Sequence, residues 1–310
     1  MSAPAGARPS RTSELAGARA VEVRAAAKVN LRLRILARET SGYHQLETIF
    51  LRLDLADVVR VRRASGHSLD VAGDVKSAAL GPTEKNLAWR AAEAYAEATG
   101  GSGGWAIELE KHIPIGGGLG GGSADAGAVL RALDAMSPRP LGETRLLAIA
   151  ATLGADVPFL TGTHACALAW GRGERLLALQ PPPARHVVLL VPAFGVNTAE
   201  AYGWLSSRPA GTAAEQTGIL DPATLATWEG LAAIATNDFE TVVTAHHPVL
   251  AALVETLRSA RCAPAMLSGS GSVVFGVLPD GDSNVPRVNE PCATLLTRSA
   301  TRVEQVSALD

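Results

Sequence analysis

Between residues 114 and 123 the chain reads Pro-Ile-Gly-Gly-Gly-Leu-Gly-Gly-Gly-Ser, with Gly116, Gly117, Gly118, Gly120, Gly121 and Gly122 surrounding Leu119. Backbone without Cβ atoms can approach a ligand closely and turn successive N–H groups toward it. The apolar residues that follow, Val129, Leu130, Leu133 and Met136, recur at helical spacing, with Ser123 placed to act as N-cap. A helix N-terminus at the end of a glycine run is an anion site, and a run of this length suits a polyphosphate. No lysine follows the glycines, so the run is not a Walker A loop. Gly116, Gly118 and Gly121 do satisfy GxGxxG, but among so many glycines that match is nearly automatic. The plain alternative, a flexible linker, fits poorly with a position between a strand and an amphipathic helix.

Two ionisable residues stand out of place. Asp156 lies in Gly154-Ala155-Asp156-Val157-Pro158, an apolar setting where a carboxylate is costly without a partner. Lys28 lies between Ala27 and Val29 in an expected buried strand. The ordinary readings are a helix N-cap for the aspartate and a snorkelling side chain for the lysine. Paired, they make a hydroxyl-activating dyad. Lys28 has added weight because the chain holds 28 basic residues and only four are lysines, Lys28, Lys76, Lys85 and Lys111. Where arginine serves almost everywhere, a retained lysine points to a need for a compact ammonium.

The elements that must carry these groups follow from periodicity. Val21 to Leu36 and Leu46 to Val61 read as strands, interrupted by the turn-like Thr40-Ser41-Gly42-Tyr43-His44. A helix is expected over Asn86 to Thr99, ended by Gly100, and a strand over Trp105 to Leu109. Helices follow over Ser123 to Met136 and Glu143 to Leu153, then a hairpin over His164 to Leu179 with Gly171-Arg172-Gly173 at its tip. Pro181-Pro182-Pro183 punctuates the chain as a stiff boundary. Beyond it come a strand at Val187 to Val191, helices within 222 to 260 and a strand at Val273 to Leu278, an α+β arrangement. The expected division is a disordered tail over 1–23, with an organellar transit segment as its alternative, and domains over 24–183 and 184–310.

The 310 residues suit two domains. With 47% hydrophobic and 19% charged residues the chain can build packed cores. A formal net charge of -2 disfavours sequence-independent nucleic-acid binding. No apolar stretch approaches the ~20 residues needed to span a bilayer. Three cysteines, Cys166, Cys262 and Cys292, are widely spaced and fit neither a disulfide framework nor a zinc site, so a reducing, cytoplasmic setting is expected.

Taken together, Ala27-Lys28-Val29-Asn30-Leu31, Gly42-Tyr43-His44, the glycine loop, the Asp156 motif and Ser268-Gly269-Ser270-Gly271 follow the order and spacing of the GHMP kinases, which the chain resembles over about residues 24 to 300. The resemblance implies an α+β, two-domain GHMP kinase fold, with a ribosomal protein S5-like N-terminal domain, a ferredoxin-like C-terminal domain and the active site in the cleft between them. It implies ATP-dependent phosphorylation, with Mg²⁺, of the 2-hydroxyl of 4-diphosphocytidyl-2-C-methyl-D-erythritol, a step of non-mevalonate isoprenoid precursor synthesis. No nucleic acid, membrane or obligate protein partner is implied.

Its site residues carry over position by position. Lys28 and Asp156 are the implied catalytic pair, Asp156 taking or orienting the proton of the substrate hydroxyl. Pro114, Gly116 to Gly122 with Leu119, and Ser123 wrap the ATP phosphates, and Ser123 also reaches a magnesium ion. Asn86 and Lys111 fall near the adenine, Tyr43, His44 and Tyr202 around the cytidine, and Asn30 and Thr198 beside the methylerythritol phosphate. His112 reads as a surface residue. The chain departs from many relatives at Ala124, Asp125, Asn197 and Ser272. The rival readings are a kinase of another small alcohol and a non-catalytic ligand sensor on the same fold, against which the presence of both Lys28 and Asp156 argues. An S5-like RNA-binding module is disfavoured by the charge balance.

Overall fold

The computed structural model describes residues 15–38, 44–73, 82–101, 103–207 and 220–309. In chain order the elements are β1 (Ala20–Arg38), β2 (His44–Ala64), β3 (Ser68–Gly73), α1 (Leu87–Thr99), β4 (Gly104–Lys111), α2 (Gly121–Met136), α3 (Glu143–Leu153), α4 (Val157–Thr161), β5 (Cys166–Gly171), β6 (Arg175–Leu179), β7 (His186–Pro192) and α5 (Thr198–Ser206). There follow α6 (Pro222–Leu225), α7 (Trp228–Ala233), β8 (Thr236–Asn237), α8 (Asp238–His246), α9 (Pro248–Ser259), β9 (Ala265–Leu267), β10 (Val274–Val277), β11 (Cys292–Arg298) and β12 (Ser307–Ala308).

The first sheet is built on the long antiparallel pair β1–β2 and runs β12-β1-β2-β4-β3, with β5 and β6 added beside β2 and β8 beside β1. Along β1 the burial changes character. Val21, Val23 and Ala25 are buried in alternation, as on a half-covered sheet, whereas every residue from Ala27 to Leu33 is buried. The β1–β2 register shifts between Ala26 and Lys28 and again between Asn30 and Arg32. Such irregularities re-aim side chains, and here they bracket Lys28 and Asn30.

The second sheet runs β11-β7-β10-β9 and is antiparallel. Three of its strands, β7, β9 and β10, are apolar on both faces, whereas the edge strand β11 is largely exposed. Val187, Leu189, Met266 and Phe275 join the core of the first sheet, while Val188, Leu190, Leu267 and Val274 pack with α8 and α9 in a second core.

Three expectations need correction. The tail does not extend to residue 23, because β1 begins at Ala20 and Val21 and Val23 are fully buried. The chain beyond 184 does not stay with the second sheet, since Ser307–Ala308 pairs with Val21 and Glu22 of β1. Finally, α2 starts at Gly121 with Gly120 as N-cap, so Ser123 is inside the first turn. The positive φ of Gly120, 74°, lets the chain enter the helix without a side-chain cap. Several elements were not anticipated, among them β3, whose Ser68-Leu69-Asp70-Val71-Ala72-Gly73 is poor in strand formers, α5, and the strands β9, β11 and β12. Among the described residues no helix is long and apolar enough to cross a membrane.

Candidate active site

The glycine loop joins β4 to α2. Gly116, Gly118 and Gly120 all have positive φ, 70°, 78° and 74°. The α2 N-terminus has no side-chain cap hydrogen bond, which leaves its first N–H groups for a ligand. A cavity of about 210 Å³ lies over this loop, with Lys85, Asn86, Lys111 and Ile113 completing its walls. Close packing below explains one glycine without appeal to ligand. A Cβ on Gly118 would sit 2.0 Å from the Ser268 carbonyl oxygen.

The structure brings Lys28 and Asp156 together beside that loop, with Lys28 Nζ 3.2 Å from Asp156 Oδ2. The Lys28 side chain is almost fully buried and that of Asp156 is 29% exposed, so of the pair only the carboxylate reaches solvent. Asp156 occupies the N-cap position of α4, but its side chain makes no capping hydrogen bond. Lys28 Nζ also donates to Asn30 Oδ1 (2.7 Å) and to the Gly118 carbonyl (2.9 Å). The backbone N–H of Lys28 donates to Leu119 O, which stitches β1 to the loop. A carboxylate held beside an ammonium at the lip of an anion cradle can orient or accept the proton of a hydroxyl attacking a phosphoryl group.

The Ser268-Gly269-Ser270-Gly271 turn packs against the glycine loop. Ser268 Oγ donates to the Gly118 carbonyl (2.9 Å) and Val273 N to the Gly117 carbonyl. Asn237 pins this turn by donating to the Leu267 and Gly269 carbonyls while its Oδ1 caps α8 at Phe239 N. Ser272, a departure noted in the sequence, donates its hydroxyl to Phe194 O. Asn197, another departure, is the N-cap of α5 and accepts from Ala199 N and Glu200 N. Thr198 pairs with Ser270, the two hydroxyl oxygens 3.0 Å apart.

Lys111 and Asn86 both border the cavity but are already engaged. Asn86 caps α1, its Oδ1 accepting from Ala88 N at 2.9 Å. Lys111 is 2% exposed, and its ammonium donates to Asp57 and, at 2.5 Å, to Asp125. Asp57 Oδ1 in turn accepts from the backbone N–H of His112 and Ile113. Burial would lower the Lys111 pKa, but the two carboxylates outweigh it and the net shift is upward. Burial pushes the Asp125 carboxyl up to about 7, with the Asp57 charge adding to that effect and Lys111 opposing it. Asp125 Oδ1 is buried with no hydrogen-bond partner. This triad was not foreseen. Its signal was Asp57 within the apolar Leu55-Ala56-Asp57-Val58-Val59 of a strand.

A second, larger cleft of about 1040 Å³ is lined by Gly154, Ala155 and Pro158, chain neighbours of Asp156, and by His44, Tyr202, Arg90 and Arg172. The His44 and Tyr202 rings are stacked, centroids 4.4 Å apart, and Tyr202 meets Phe239 edge-on. The face of Tyr202 toward His44 is therefore covered by imidazole. Burial, with a contribution from the Asp156 charge, raises the Tyr202 phenol above its usual pKa. Tyr43, the other expected ring of this pocket, lies outside the described residues. The Gly173 turn rests on the Asp156 motif, since a Cβ there would meet the Ala155 carbonyl oxygen at 2.3 Å.

A glycine-loop anion cradle with a lysine–aspartate pair at its lip is the arrangement of a small-molecule phosphotransferase, and family models agree. The model described as GHMP kinases N terminal domain matches residues 86–163, and that described as GHMP kinases C terminal matches residues 223–287. The chain belongs to the GHMP kinase family. Its similarity is closer than that to the family at large. It is 41% identical over 268 residues to the 4-diphosphocytidyl-2-C-methyl-D-erythritol kinase of Solibacter usitatus, covering 84% of this chain and 82% of that protein. The enzyme of the same name from Solidesulfovibrio magneticus is 42% identical, with 81% and 86% covered. A crystal structure of 4-(cytidine 5'-diphospho)-2C-methyl-D-erythritol kinase is 39% identical at a TM-score of 0.65, covering 83% of this chain and 89% of that one. Homoserine kinase from Cytophaga hutchinsonii, at 17% identity and a TM-score of 0.69, shares the fold.

Proposed function

We infer that this chain transfers the γ-phosphoryl group of ATP to the 2-hydroxyl of 4-diphosphocytidyl-2-C-methyl-D-erythritol, as its similarity to kinases of that name supports. The observation that carries the reading is the Lys28–Asp156 pair, tied to the glycine loop through the Gly118 carbonyl, with the neighbours Gly154, Ala155 and Pro158 lining a cleft that His44 and Tyr202 also line. Asp156 orients the acceptor hydroxyl and receives its proton. Lys28 keeps that carboxylate in place and offsets charge on the transferring phosphoryl. Backbone N–H groups at the α2 N-terminus hold the triphosphate, and Asn86 and Lys111 form the wall beside the adenine. The cytosine enters at His44 and Tyr202, and an aromatic face with an adjacent polar ring suits a pyrimidine. Asn30 and Thr198 flank the polyol side.

Magnesium fits this donor set. Among the described residues there is no cluster of His, Cys, Asp and Glu side chains that would cage a metal, and Mg²⁺ in kinase sites needs none, keeping water and nucleotide phosphate oxygens as most of its ligands. Ser123, in the first turn of α2, would supply a hydroxyl ligand, and the ion would offset charge on the phosphates.

In finer terms the first sheet and its helices correspond to an S5-like domain and the second sheet with α8 and α9 to a ferredoxin-like one, and the enzyme works in the cytoplasm without nucleic-acid, membrane or obligate protein partners. A coupled assay of ATP consumption with the cytidine diphosphate alcohol, using mevalonate and homoserine as controls, tests the function. Turnover with either control and none with the cytidine compound would refute it.

A further inference from the structure

We propose that Thr48 is a positioning residue for catalysis, fixing through Asn30 the one orientation in which the Lys28 ammonium can serve both Asp156 and the glycine loop. The proposal rests on the reading of Lys28 and Asp156 given above.

An ammonium has three donor hydrogens and no acceptor. The structure gives Lys28 three acceptors: Asn30 Oδ1 at 2.7 Å, the Gly118 carbonyl at 2.9 Å and Asp156 Oδ2 at 3.2 Å. Two of these belong to parts that meet substrates, the loop and the cleft carboxylate. Asn30 is the third leg and the shortest, and it is 2% exposed. Its value depends on the carbonyl end of the amide, not the NH₂ end, facing the lysine.

Thr48 decides that orientation. Its hydroxyl is 2.6 Å from the Arg32 carbonyl, which can only accept, so the single Thr48 proton goes there. The Thr48 oxygen is then left as an acceptor, and the group facing it at 2.8 Å must be the Asn30 NH₂. The opposite end of the amide is thereby turned to Lys28. The whole chain from the Arg32 carbonyl through Thr48 and Asn30 to Lys28 is buried, with Thr48 at 0% exposure, so water offers no substitute partner. Register shifts of the β1–β2 pair fall on either side of Lys28 and Asn30. Thr48 touches neither loop nor cleft in this arrangement and acts only through Lys28.

The test is a series at position 48 in the full chain, with kcat and both KM values measured beside thermal melting. Thr48→Val keeps the shape and removes the hydroxyl. It should lower kcat about 5- to 50-fold, the cost expected for a buried group losing its partner and a catalytic group losing its place, with KM for ATP and for the alcohol within about twofold. Thr48→Ser should restore kcat to within about twofold, and Thr48→Cys, a weaker donor and acceptor, should fall between. An unchanged kcat in Thr48→Val, a serine variant no better than valine, or an effect confined to KM would each overturn the proposal. If Thr48→Val does not fold, the cysteine variant decides, and wild-type kcat there also overturns it. Full turnover in Asp156→Asn would instead remove the reading of the site itself, an outcome the Thr48 series cannot mimic.

Discussion

Replacing Gly118 by alanine sets two structural costs against the hydrogen bonds that hold the loop. Gly118 has φ +78°, a left-handed conformation that costs an L-residue about 1–2 kcal/mol. Its Cβ would lie 2.0 Å from the Ser268 carbonyl oxygen and 2.9 Å from the carbon of the same group. Both neighbours are backbone and cannot swing aside, so overpacking adds about 1–3 kcal/mol. The combined penalty of about 2–5 kcal/mol rivals or exceeds what the Lys28 and Ser268 hydrogen bonds to the Gly118 carbonyl contribute, at about 0.5–1.5 kcal/mol for a neutral bond and 1.5–3 for a charged one. The loop therefore moves away from the Ser268 turn and gives up its grip on Lys28. A displacement near 1 Å costs on the order of 10²-fold in rate, so kcat/KM should fall by about that factor, and the melting temperature should fall as well because part of the strain remains. Gly142→Ala is the control, because Gly142 also has positive φ, +80°, but nothing lies within 4 Å of the added Cβ. It should lose stability by about 1–3 kcal/mol, since φ 80° with ψ 164° is a conformation other residues rarely hold, and keep its turnover. The measurements are steady-state ATP turnover and thermal denaturation of both variants. Near-native turnover in Gly118→Ala, or an equal loss of turnover in Gly142→Ala, would refute the argument.

Asp156→Asn should lower kcat by about 10²- to 10⁴-fold in the coupled assay while calorimetry with a non-hydrolysable ATP analogue shows binding intact. Lys28→Arg should lose most turnover too, since a planar fork cannot meet three acceptors arranged around one nitrogen. Tyr202→Leu should weaken the cytidine substrate about 2- to 13-fold by calorimetry and leave the ATP analogue unaffected, whereas Tyr202→Phe should bind normally. For Asp125 the folded pKa is raised above that of the unfolded chain, so the folded state holds the extra proton between the two values. Its contribution to stability is then full in acid and is lost as pH rises through about 7, and urea unfolding of Asp125→Asn should show a shallower loss of stability from pH 5 to 8 than the parent.

What the sequence made legible were features with a local cause. The β1 and β2 strands, α1 ended by Gly100 and α3 all stand where period and punctuation put them. Lys28 and Asp156, far apart in the chain and each out of place in its own segment, do meet. The features missed depend on partners distant in sequence. Lys111 was expected beside the adenine, but whether its ammonium is open to a ligand depends on Asp57 from β2 and Asp125 from α2, which no local pattern reveals. Ser123 looked like a cap because side-chain capping is the common solution; here a glycine with positive φ, Gly120, caps the helix three residues earlier. α5 did carry a signal, Asn197 followed three residues on by Glu200, which its Ala- and Thr-rich composition obscured. Asn237, which ties a helix cap to the Ser268 turn, has the local mark of an N-cap and none of its second task.

The second sheet, whose strands β7, β9 and β10 are apolar on both faces, bears on how such a protein can be recombined. Because Val187, Leu189, Met266 and Phe275 are inserted into the first core while their strand neighbours fill the second, neither half has a finished surface where the chain passes from one to the other. A chimera spliced at the Pro181-Pro182-Pro183 run with the second half of a distant relative would set a foreign row of side chains into this interior, leaving gaps or overlaps along a whole sheet face. Ser307–Ala308 would also have to find its place beside a β1 it did not evolve with. The shared interior makes the two halves of this chain interdependent, so exchanging one of them whole disturbs the packing of the other.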